Sequence, residues 1–321
     1  MKQDIEHLII GAGLSGMIMG YLLKRRYAIF DGAKGPVFQT SAPFYLHSPL
    51  DWLPTTWREI DIHHNCWDGE SFHRQPNIRM MNNYARKITG KIIDTSLKFM
   101  DGAMKKGFLP SNGKPGQVLT DLYEETSTNI NWGWKLVKLD PIQKVATMSD
   151  GAVTLDIRYK SLISTMPLPV LLKMVGIEFQ HKFIADDIYT SFYAVPEGVT
   201  VDAHQIIYIT SEYTRPYRAS LMGQTIYIES MLPIDPTEDA QLIEKLWGIT
   251  KAHPIGTRVI KAGKFHPIER NQRKLLLAKL TNEFDIFCLG RFAVWNYKRI
   301  DHIAHDAQQL VKIIRAAEAV V

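Results

Sequence analysis

The run GAGLSG at positions 11–16 is the part of this chain whose residue types and spacing can do the most chemistry. It follows the apolar stretch IEHLII and precedes the apolar MIMGYLL; a second apolar stretch, YAIF, then ends on Asp31. Strand, glycine turn, helix, strand and acid is the order that holds a dinucleotide. Gly11 permits the tight turn, Gly13 lets backbone approach a pyrophosphate with no Cβ in the way, and Gly16 lets helix and sheet pack closely. The helix start at Leu14 and Ser15 turns unpaired N–H groups and a partial positive charge toward the phosphates. Asp31, twenty residues after Gly11, stands where it can accept hydrogen bonds from ribose hydroxyls.

The rest of the chain must hold this loop in place. Its 321 residues are enough for one large domain or two smaller ones, and 45% apolar with 22% charged residues is ordinary for a globular protein. The only two cysteines, Cys66 and Cys288, form no CxxC or Cys/His cluster, so neither a disulfide framework nor a zinc site is expected. Two scattered thiols suit a reducing cytoplasm. No secretion signal and no apolar run of roughly 18 residues is read, so no membrane span is expected. A net charge of +5 and a pI near 9.0 fit an anionic substrate, a nucleotide or nucleic acid, and equally a generally basic surface. His63, His64 and His73 lack metal spacing, no metal is assigned, and HHNC at 63–66 reads as loop.

Helices are expected over residues 80–86, 93–105, 117–126 and 238–247, the last with Thr237 as N-cap, and over the C-terminal IDHIAHDAQQLVKIIRAAE. Strands are expected over 130–139, 145–148 and 152–157, in SLIST ending at Thr165, through the stretch 189–231, and in FDIFCLG. Proline starts a short helix near Leu168. The fold class is therefore α/β. A Rossmann-like nucleotide-binding domain takes residues 1–60, 115–170 and 265–321, and a smaller strand-rich α+β substrate domain takes 61–114 and 171–264.

Several stretches in order along the chain resemble the amine-oxidase-like flavoproteins, and within them the UDP-galactopyranose mutase branch. These are GAGLSG with Asp31, PFYLHS, GFLPSNGKPGQVLTDLYEE, YKSLISTMPLP, YITSEYTRPYRAS and GRFAVWNYKRID. The resemblance implies FAD as cofactor. It implies that PFYLHS brings His47 to the flavin face and that Arg218, with Arg215 as second choice, lies beside the flavin or an anionic substrate. Gly290 and Arg291 would sit at the pyrophosphate, Trp295 and Tyr297 near flavin or substrate, and the helix start around Ile300 at the flavin's pyrimidine edge. For each side chain a structural reading stands beside the functional one: a loop histidine for His47, a surface arginine for Arg218, aromatic packing for Trp295 and Tyr297.

Three departures qualify the likeness. GAKGP replaces the Arg and Gly–Gly pair that most relatives carry after the second-strand acid, and Arg299 stands where the mutases place an acid. The stretch between Lys91 and Ile130 also leaves little room for the helical insertion that holds uridine in the mutases. The reading that follows is an FAD-dependent oxidoreductase of amine-oxidase type acting on a C–N bond. Short flavoproteins of bacteriophages that hypermodify thymine are similar, which implies an amino-acid-modified thymine in DNA as substrate. A compact UDP-galactopyranose mutase-like enzyme on a nucleotide-linked sugar, and a non-catalytic nucleotide-binding protein, are the alternatives.

Overall fold

The computed structural model describes residues 2–36, 45–89, 104–114, 116–180, 182–199, 204–266 and 268–318. The chain opens with β1 (Lys2–Ile10), α1 (Leu14–Leu23) and β2 (Tyr27–Asp31). It continues through β3 (Trp57–Trp67), β4 (Phe72–His73), α2 (Ile78–Thr89), β5 (Met104–Pro110) and α3 (Gln117–Thr126). Next come β6 (Ile130–Trp132), β7 (Lys135–Asp140), β8 (Val145–Ser149), β9 (Thr154–Ser164) and α4 (Leu168–Met174). A strand-rich stretch holds β10 (Ala185–Ala194), β11 (His204–Ile209), β12 (Pro216–Met222) and β13 (Thr225–Ser230). The chain then runs through α5 (Pro236–Trp247), β14 (His253–Phe265), α6 (Arg270–Phe284), β15 (Ile286–Cys288) and α7 (Ile300–Glu318).

These strands form two sheets. The seven-stranded sheet runs β6-β2-β1-β9-β8-β7, with β15 also paired to β9. Its β6, β2, β1, β9 and β15 are mutually parallel, and β7 and β8 add an antiparallel margin. Residues on its central strands alternate between two cores, as a pleated strand covered on both faces requires. Ile9, Ile29 and Ile163 pack against α1, α3 and α7, whereas Leu8, Ile10, Phe30 and Leu162 pack against α4 and α6. The eight-stranded sheet runs β14-β10-β13-β12-β11-β3-β4, with β5 paired to β3. Leu242, Ile243 and Leu246 of α5 pack with Ile207, Ala219 and Ile228 in one core, and Met80, Tyr84 and Ile88 of α2 pack with Cys66 and Tyr217 in another.

Several expectations need correction. HHNC is strand, not loop: β3 alternates, with His64 and Cys66 on its buried positions and His63 exposed. Residues 130–139 are two strands, because the chain turns at Gly133, at φ +80°. Conversely, 152–157 and SLIST are one long strand, β9. The helix expected at 93–105 lies mostly outside the described residues, and Met104 and Lys105 begin β5 instead. The N-cap of α5 is Asp235, whose carboxylate accepts from the N–H groups of Thr237 and Glu238, so Thr237 is already inside the helix. Helix α6 and strand β14 are additional to the expected elements. Among the described residues no helix is long and apolar enough to cross a membrane.

Candidate functional site

The glycine loop sits at the carboxyl end of the parallel strands, where α/β sheets place their ligands. Gly11 donates to Phe30 O at 2.8 Å and has φ +103°. A Cβ there would lie 2.1 Å from Thr165 Oγ1, which itself donates to Ile10 O at 2.8 Å, so the ends of β1 and β9 touch across a gap only glycine fits. At Gly16 a Cβ would meet Gly11 O at 1.9 Å; α1 rests directly on the turn. Gly13 is the opposite case: it is exposed, a Cβ would meet nothing within 4 Å, and as N-cap of α1 it provides no side-chain cap. With no acid in the first turn either, the leading N–H groups of α1 around Leu14 and Ser15 receive no capping side chain from Gly13 and no first-turn carboxylate.

Asp31 closes β2 and fastens two loops. One carboxylate oxygen accepts from Ala12 N and the other from Ala33 N, each at 2.7 Å, which leaves each oxygen a lone pair for a ribose hydroxyl. Gly290, just past β15, has φ +97°, and a Cβ on it would come within 2.4 Å of Ser15 Oγ. The C-terminal return thus packs its backbone on the start of α1. Arg291 turns the other way. Its guanidinium donates to Gly263 O in β14 and lies 5.3 Å over the Phe265 ring and 4.9 Å over Phe292, with Nε buried and unpartnered.

A second group of side chains lies between the eight-stranded sheet and the start of α7. Backbone hydrogen bonds of Leu46 to Phe108, 3.0 and 2.9 Å long, pin the loop carrying His47 to β5, while Pro43 and Phe44 fall outside the described residues. The His47 ring packs on Tyr45 at 5.0 Å. Burial lowers the His47 pKa, Arg299, Lys105 and His302 add to this, and Asp301 opposes it, so His47 stands in the field of the α7 start next to Ile300. There Arg299 donates to Asp301 at 3.2 and 3.0 Å.

Tyr45 continues inward to His64 at 3.5 Å, whose ring stacks with Tyr208. Tyr84 and Tyr217 follow edge to face. Arg218 lies in this tyrosine box and not on the surface. On β12 it is in register with Tyr208 of β11 and Glu229 of β13. Its guanidinium grips Glu229 through Nε and, at 2.8 Å, through Nη2. The Glu229 side chain is 0% exposed and also accepts from Tyr217 OH at 3.2 Å. Burial opposes the charge on Arg218, but Glu229 more than restores it and holds the pKa well above the ordinary value.

The remaining expected residues divide. Arg215 is exposed and pairs with Glu238 of α5, away from Arg218. Trp295 is 4% exposed, donates to His266 O at 2.9 Å and packs against Phe183 and Phe265, which is the aromatic-packing reading. Tyr297 is 45% exposed and stacks on Phe265 at 4.7 Å, with its hydroxyl donating to Phe265 O. Lys264 of β14, Glu229 and the tyrosine box escaped the sequence reading. The acid Glu229, next to last in the apolar TIYIES, was the available signal, since a buried acid needs a cation; which cation depends on strand register.

Burial pushes the thiols of Cys66 and Cys288 up to about 12, so neither is a ready nucleophile at neutral pH. Among the described residues one group has metal-ligating atoms close together, Glu6, His7 and Glu318. It lies midway along β1, and Glu6 is already paired with Arg26 and Lys160.

No family model matches the chain, and no curated protein matches it. Solved structures do. A reduced UDP-galactopyranose mutase superposes with a TM-score of 0.67 at 14% identity, over 99% of this chain and 94% of that one. A putrescine oxidase redesigned in its cofactor binding gives 0.64 at 12% identity, over 99% and 100%. A flavoprotein/dehydrogenase from Cytophaga hutchinsonii gives 0.60 at 9% identity, over 97% and 79%. The chain shares the mixed α/β, two-sheet fold of these proteins.

Proposed function

We propose that the chain is an FAD-dependent flavoenzyme. One observation carries this reading: the first glycine turn and the C-terminal return converge on the start of α1, where Gly13 leaves the approach open and Gly290 packs on Ser15. The residues fit the group. The N–H groups of Leu14, Ser15 and Gly16 with the backbone at Gly290 would hold the pyrophosphate, Asp31 would accept from the ribose, and the start of α7 at Ile300 would face the pyrimidine edge. Bound FAD supplies a two-electron acceptor that no side chain provides.

Within that class we read an oxidoreductase of amine-oxidase type, which oxidises a C–N bond of an anionic substrate to an imine that water then hydrolyses. Neutral His47, its pKa lowered by burial and by Arg299, is available to take a proton from the substrate amine. Arg218, held in place by its ion pair with Glu229, is read as a hydrogen-bond donor to the substrate's negative group. An amino-acid-modified thymine in DNA is the substrate proposed in this class. Anaerobic mixing with DNA carrying glycyl-modified thymine should bleach the oxidised flavin spectrum; an unchanged spectrum would rule that substrate out.

Superposition on a mutase over 99% of this chain supports a second reading, a compact UDP-galactopyranose mutase-like enzyme. Turnover of UDP-galactofuranose only after dithionite reduction would favour it, and failure to bind UDP would exclude it.

A further inference from the structure

The tyrosine box holds more positive charge than it neutralises. Glu229 has both carboxylate oxygens engaged, by Arg218 and by Tyr217. That accounts for one cation. Lys264 Nζ lies 5.3 Å from the centroid of the Tyr217 ring, while Arg218 Cζ lies 5.9 Å from the same centroid. It is also 5.9 Å from the Tyr297 ring. Among the described residues Lys264 has no hydrogen-bond acceptor. Its cross-strand neighbour Asp186 bonds instead to His266 at 3.0 Å. Arg291 lies 5.3 Å over the Phe265 ring; among the described residues a backbone carbonyl is its one acceptor, and its Nε is buried and unpartnered. Two partly buried cations on aromatic faces with no carboxylate of their own are costly unless an anion joins them.

We propose that Lys264, with Arg291 and Arg218 around it, forms a subsite for an oxyanion of the substrate, a carboxylate or a phosphate, between the rings of Tyr217 and Tyr297. This rests on the flavoenzyme reading for the identity of the reaction but not for the binding itself. The oxyanion supplies the charge and the acceptors that Lys264 lacks, and the fully buried Tyr217 shields the pair from water on one side. Burial, then the neighbouring charge of Arg218, hold the Lys264 ammonium down to about 8, with Arg291 adding to this and Glu229 opposing it. A bound anion stabilises the protonated form, so affinity must fall as pH rises through that range.

The test is calorimetric titration of the purified full chain with acetate and with inorganic phosphate, alongside its FAD-to-protein ratio. Wild type should bind one of them, acetate if the subsite reads a carboxylate and phosphate if it reads a phosphate. Affinity should drop as pH is raised from about 7 to about 9. Lys264→Met should weaken binding about tenfold or more at unchanged FAD content, and Lys264→Arg should retain it. Wild type that binds neither anion, or binds with no pH dependence, overturns the subsite, as does a Lys264→Met variant that binds equally well. The pH series needs no variant, so misfolding of Lys264→Met would not blunt the test. A colourless protein that still binds the anion overturns only the flavin reading, and a yellow protein that binds none overturns only the subsite.

Discussion

At Gly290 a single methyl group separates backbone strain from a close approach. Its φ of +97° penalises any side chain, and the Cβ would also come within 2.4 Å of Ser15 Oγ. Gly133 has a φ of +80° but open space around it. Gly290→Ala should therefore cost about 1–3 kcal/mol and lower FAD retention, while Gly133→Ala should show a smaller loss with retention unchanged. Paired thermal melts and flavin release decide this; equal losses would mean the contact with Ser15 does not matter. Glu229 makes a sharper case. Glu229→Gln leaves Arg218 partly buried without its counter-charge, and an unfolding titration should show a loss of about 3–5 kcal/mol. The double change Glu229→Leu with Arg218→Met should recover part of it. The tight turn at Gly11 and the close packing at Gly16 were legible because each is a local demand of one turn. The roles of Glu229 and Lys264 were not, because what a strand residue faces is decided by its pairing with distant strands.

The same division holds for elements. Helix α3 occupies the residues its apolar spacing predicts, and α7 begins where IDHI does. Helix α6 was missed because only Leu276 and Leu280 of its leucines are buried while Leu275 is 70% exposed, so its apolar stripe is narrow. β3 was hidden by polar residues on its inward positions: His64 and Cys66 keep the alternation of Ile60 and Ile62, but HHNC does not read as apolar. At α5 the cap moved by two residues, since proline at the first helical position leaves Asp235 in extended backbone with its carboxylate on the next amides. Asp235→Ala should cost about 1 kcal/mol, and Thr237→Ala far less. Chemical denaturation of both variants checks this; a larger loss from Thr237→Ala would contradict the assignment.

For the whole molecule, buried histidines set the pH response, and the start of α1 carries the proposed cofactor site. His7, His47 and His204 all have pKa values lowered by burial. The unfolded chain takes up these protons at about pH 6.5, the folded one only below that, so stability should fall as pH drops from about 6.5 toward about 5. Denaturation midpoints across that range test the sign; a rise on acidification would contradict it. The α/β class and the opening strand, glycine turn, helix and strand were legible from the glycine turn and the order of elements, because both follow from neighbouring residues. The tyrosine box and its charge were not, because they exist only where α2 and the strands β14, β10, β13, β12 and β11 of one sheet come together. The absorption spectrum of the purified chain is the most direct check on the central claim. Oxidised-flavin bands, with FAD released on heating, are the expected result. A colourless protein that releases no FAD and gains no flavin spectrum when FAD is added would contradict the account.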